Sequence, residues 1–73
     1  MDHPAIRTIV NIHVRYGNRR ALEDLRVHRG RLLASLIRTL GGPYDVRKPI
    51  TQIEDEIAII DAGVAKLKPE AVA

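Results

Sequence analysis

From residue 53 onward, apolar side chains recur as Ile53, Ile57, Ile60, Val64 and Leu67, at intervals of four, three, four and three. That rhythm sets one narrow apolar seam on a helix and calls for a single facing helix to cover it. Thr51 with Glu54 three residues later predicts the helix start as a capping box. Glu54, Asp55 and Glu56 then fall in the first turns and Lys66 and Lys68 in the last, as the helix dipole favours. Pro69 stops the helix. The facing partner lies upstream, where Leu22, Leu25, Leu32, Leu33, Leu36 and Leu40 form one stripe over residues 19–40, with Ile37 at its margin. Asn18 stands as its N-cap. Gly41-Gly42-Pro43 ends it, in the order glycine cap and then proline. Gly30, inside the stripe, disfavours the helix by about 1 kcal/mol relative to Ala; it marks either a close contact or a break between two shorter helices.

Residues 8–16 carry a different rhythm. Thr8, Val10, Ile12, Val14 and Tyr16 alternate with Ile9, Asn11, His13 and Arg15. Period two in β-branched residues predicts a half-buried strand. A helix is the competing reading, but its apolar residues would spread over roughly 200° of the wheel, too wide for a surface stripe. Gly17-Asn18 reads as a turn. Tyr44, Val46, Lys48 and Ile50 alternate weakly with Asp45, Arg47 and Pro49, which predicts a short extended segment over 44–50 that Pro49 confines to an edge. The expected fold is an α+β mini-domain: N-terminal strand, long helix, short extended segment and capped C-terminal helix, with the two helices antiparallel. The alternative is an all-α helical hairpin. Residues 1–73 form one domain, with flexible tails at 1–5 and 69–73.

A domain of this size buries only about 60% of the surface that its unfolded chain exposes, so its stability is marginal. Such scaffolds gain stability from disulfides, metals or association. The sequence has no cysteine, which removes disulfides and thiolate sites and fits a reducing compartment. With no Phe or Trp and only Tyr16 and Tyr44 as aromatics, the core must be aliphatic. No apolar run approaches the ~18 residues that cross a bilayer. Met1-Asp2-His3-Pro4 shows no basic region leading into an apolar stretch, so no secretory signal is expected and the expected location is cytoplasmic, the bacterial host cytoplasm if phage-encoded.

The charge is divided. Residues 1–48 hold ten bases and four acids, a balance of +6, and residues 49–73 hold two bases and five acids, a balance of −3. The halves can neutralise each other internally. No catalytic residue is assigned. Ser35, the only serine, sits mid-helix among leucines, and no phosphate-binding or nucleophile motif is present. Glu54, Asp55 and Glu56 are consecutive on a helix and point in different directions. His3, His13 and His28 lack metal-ligand spacing. No metal, cofactor, small-molecule substrate or membrane is expected.

Two surfaces remain for a macromolecular partner. Arg20, Arg31 and Arg38 fall within about 20° of one another, opposite the leucine stripe, as candidate phosphate contacts. Asp24, near the same line, and the scarcity of stacking aromatics oppose a nucleic-acid role. No tight turn divides residues 19–40 into a helix-turn-helix. Arg29 falls in the centre of the leucine stripe and needs a counter-ion, which Glu54 or Asp61 could supply. The favoured surface is the free edge of the N-terminal strand, which would recruit a partner strand through Arg7, Ile9, Val10, Asn11, Ile12, His13, Val14 and Arg15. Ile59, off the isoleucine seam, is expected to be exposed beside it.

A very short, cysteine-free, Arg-rich chain with one alternating segment (Val10, Ile12, Val14, Tyr16) and two helices resembles the small bacteriophage-encoded regulators, some of which bind host RNA polymerase. The resemblance covers the general character of the whole chain and assigns no residue a role. It implies a small non-enzymatic protein-binding regulator that inhibits or modulates bacterial RNA polymerase and transcription. A basic nucleic-acid-binding protein and a structural homodimer are the alternatives.

Overall fold

The computed structural model describes residues 3–67, and among them there are three helices and no strand: α1 (Pro4–Arg15), α2 (Arg19–Arg38) and α3 (Arg47–Lys66). The expected α+β mini-domain is therefore replaced by an all-α fold, a helical hairpin of α2 and α3 with α1 laid on one end. The tail expected at 69–73 lies outside the described residues, as do residues 1 and 2. Within the other expected tail, His3 touches Asp55 and Pro4 opens α1.

Residues 8–16 are helical for reasons that β-propensity does not weigh. Pro4 occupies the first turn, where its missing N–H costs nothing. The Thr8 hydroxyl donates to the Pro4 carbonyl at 2.9 Å, a bond open to a threonine one turn into a helix. Ile6, Val10 and Val14 recur every four residues; Ile6 and Val10 are buried and Val14 packs against them. A strand here would have had no partner, because residues 44–46 form a loop and 47–50 the first turn of α3, not an extended segment. An unpaired strand leaves its backbone groups unsatisfied, whereas a helix bonds them internally.

The α2 boundaries follow their sequence signals closely. Gly17 takes φ +64° in the α1–α2 turn, and the Asn18 side chain accepts from the Ala21 N–H at 3.2 Å. Gly41, with φ +86°, turns the chain after α2. The start of α3 differs. The helix begins at Arg47, so Pro49 sits harmlessly in its first turn and Thr51 and Glu54 lie inside it. The capping box does not form the N-terminus, and no acid occupies the first turn. Asp45 serves that end instead, its Oδ1 accepting from the Arg47 N–H at 3.1 Å.

Arg29 faces Glu56 and Arg26 meets Asp61, so α2 and α3 run antiparallel. His3 lies beside Asp55 and Val10 beside Gly63, so α1 runs parallel to α3. At 1.5 Å per residue α1 spans about 18 Å and each long helix about 30 Å. The short helix thus covers one end of the hairpin. The buried hydrophobic side chains Ile6, Val10, Leu22 and Ile60 all gather there. Beyond it, Leu33, Leu36, Ile50 and Ile53 close the seam only half-buried.

Candidate interaction surfaces

Of the eight residues expected to bind a partner, the helix divides what a strand would have aligned. Val10 is buried against Gly63, and His13 and Val14 are half-buried. Arg7 and Asn11 line an open groove of about 480 Å³ between α1 and α3, with His3, Asp55, Ile59, Gly63 and Lys66. The imidazole Nε2 of His3 and the Oδ2 of Asp55, 3.3 Å apart, bridge the two helices along it. Ile59 is half-buried and packed against the core, not exposed as expected. Residues 7–15 are helical and present no strand edge, so β-augmentation through them has no structural basis.

Ile9, Ile12 and Arg15 remain on the outside of α1. They are joined by exposed Tyr16, which is not among the eight expected residues. Ile9 is 42%, Ile12 50% and Tyr16 78% exposed. Their spacing of three and four residues places them on one helical face, turned away from Ile6, Val10 and Val14. The same rhythm that marks the isoleucine seam of α3 was present in this segment and could have revealed the face.

Arg20, Arg31 and Arg38 are all exposed along one side of α2. They span about 27 Å at the helical rise. Asp24 is exposed between Arg20 and Arg31. Arg29 does find a carboxylate across the hairpin, but it is Glu56, at 3.6 Å from Nε, neither Glu54 nor Asp61. Asp61 instead accepts from Arg26 Nε at 2.7 Å. The Arg29 Nε is buried without a hydrogen-bond partner, so the pairing is by charge alone.

The hairpin tip carries exposed Leu40 and Tyr44 over an apolar hollow with Leu36, Pro43 and Val46. Beside it Arg47 forks onto Asp45, with Nη2 donating to Oδ2 at 2.8 Å. That side-chain contact, with the Arg47 backbone N–H second, holds the Asp45 carboxyl below its ordinary range and raises the guanidinium. Among the described residues, no group of three or more His, Asp or Glu side chains is placed to hold a metal, and no helix is long and apolar enough to cross a membrane. Comparison with protein-family models, curated proteins and solved structures finds no match for this chain.

Proposed function

We propose that the chain is a small non-enzymatic regulator that docks the outer face of α1 into an apolar groove on a larger protein. The observation that carries this reading is the second apolar face of α1. Ile9, Ile12 and Tyr16 contribute little to the fold, yet they recur at the spacing of a helix meant to be covered. Arg15 flanks the face, so an acidic group at the rim of the partner's groove would complement it. The resemblance to phage regulators makes bacterial RNA polymerase the first partner to try, with inhibition or modulation of transcription as the consequence.

The test is affinity capture from a bacterial lysate with mass spectrometry, comparing the wild-type chain with Ile9→Glu/Ile12→Glu. Both positions are exposed, so circular dichroism should show the helices intact. Capture of a specific protein should disappear in the variant and weaken in Arg15→Glu. Equal capture by both chains contradicts the reading.

The exposure of Arg20, Arg31 and Arg38 along one side of α2 keeps a phosphate-binding reading second. Asp24 on that side works against it. A gel shift at ~50 mM salt decides, since phosphate contacts are strongest at low salt; no shift there eliminates it.

A further inference from the structure

The α2 helix carries a second seam that the fold does not use. Val27, Gly30, Ala34 and Ile37 recur at intervals of three, four and three, the same rhythm as the seam of α3. The seam lies about 130° round the helix from the leucine stripe that faces α3. Val27 is 50% and Ile37 48% exposed, Ala34 is exposed as well, and Gly30 is half-buried. Gly30 is the telling residue. Glycine weakens a helix interior relative to alanine, and such a position usually has a packing or turning reason. Here there is neither: the helix runs unbroken through it, and a Cβ at residue 30 would meet nothing within 4 Å.

The seam is self-complementary. When a second copy of α2 is laid antiparallel on the first about a two-fold axis beside residue 32, Val27 meets Ile37 of the other copy and Gly30 meets its Ala34. Each contact occurs twice, as an isologous interface requires. The large residues fall at the ends and the small ones at the centre, so the helices can approach closely where Gly30 sits. The same axis brings Asp24 to within about 3 Å, along the helices, of level with Arg38 of the other copy, twice. Both are exposed, and neither makes an ion pair among the described residues of its own chain. One like-charge contact, between the two Arg31 side chains near the axis, opposes these two attractive ones.

We infer that the chain forms a two-fold homodimer through Val27, Gly30, Ala34 and Ile37 of α2, with Asp24–Arg38 pairs at its rim. The inference does not rest on the α1 docking face, which shares no residue with this seam.

Sedimentation equilibrium of the full chain from low to high micromolar concentration should show a monomer–dimer equilibrium. Gly30→Leu should keep its helicity and lose the dimer. Arg38→Asp should weaken the dimer roughly tenfold, through two lost pairs and two new like-charge contacts, and Asp24→Arg/Arg38→Asp should restore it. Arg31→Gln should tighten it. The absence of native cysteine permits a direct map. Val27→Cys chains mixed with Ile37→Cys chains should form a disulfide on mild oxidation. Either variant alone should not, because residue 27 and its own equivalent would lie about 15 Å apart along the helices. A monomer at high micromolar concentration, or a dimer that crosslinks within each single variant and not in the mixture, overturns the inference. Ile9→Glu/Ile12→Glu should leave the dimer unchanged, which separates its failure from failure of the docking proposal.

Discussion

Gly63 of α3 lies so close to Val10 of α1 that a Cβ at residue 63 would collide with Val10 Cγ1. The absence of a side chain is what lets the short helix settle on the hairpin and bury Ile6 and Val10. Gly63→Ala gains about 1 kcal/mol of helix propensity. It loses about 1–3 kcal/mol to overpacking, since the branched Val10 cannot swing away as a flexible side chain would. The melting temperature should therefore fall by several degrees. A rise on Gly63→Ala would show that α1 does not pack there.

The buried side chains sit at one end of the molecule, and stability should be just as lopsided. Leu22 and Ile60 are fully buried, so Leu22→Ala or Ile60→Ala should cost about 2–5 kcal/mol, enough to unfold much of so small a domain. Leu36→Ala, in the half-buried seam beyond α1, should cost clearly less. Urea denaturation of the three variants measures the difference, and equal losses would mean that the seam is closed along its whole length.

Arg29 and Glu56 form a charge pair across the hairpin with no hydrogen bond to Arg29 Nε. Removing one partner strands the other, so Glu56→Ala should destabilise by about 1–3 kcal/mol. Replacing both with Arg29→Leu/Glu56→Leu extends the apolar seam and should match or exceed the wild type. A loss in the double variant as large as in Glu56→Ala would give the pair a net stabilising role.

What the sequence made legible follows from local chemistry. Asn18, Gly17 and Gly41 set the bounds of α2, because caps and positive-φ glycines act within a few residues. The seam of α3 was equally plain. The α1 helix was not, since Val10, Ile12 and Val14 satisfy period two and their β-branching favours a strand. What decides between the two is non-local: the missing second strand and the flat spot at Gly63, which receives Val10 and Val14 on one helical face. Pro49 misled in the same way, because a proline looks like an edge-strand marker until the first turn of a helix is placed around it. The place of Arg29 in the leucine stripe implies an acid across the hairpin, and Glu56 supplies it where Glu54 or Asp61 was expected. Which acid depended on the register of α2 against α3, which neither seam fixes by itself.

Asp45 gives that register's loop a pH dependence. Its carboxylate accepts from the Arg47 side chain and backbone N–H, which lowers its folded pKa below the ordinary 3.8. A depressed carboxylate contributes stability above its unfolded pKa and loses it as pH falls through the folded value. Wild type should therefore be more stable than Asp45→Asn at neutral pH, and the gap should close below pH 3.8. A gap that persists in strong acid would assign the effect to something other than this carboxylate.

The central claim is that the outer face of α1 is the docking surface. A photo-crosslinking amino acid at Ile12, with one at exposed Gln52 of α3 as the control, tests it inside a bacterial cell. The account predicts a discrete adduct with one larger protein from position 12 and none from position 52. Equal labelling from both positions, or an adduct from Gln52 alone, would contradict it.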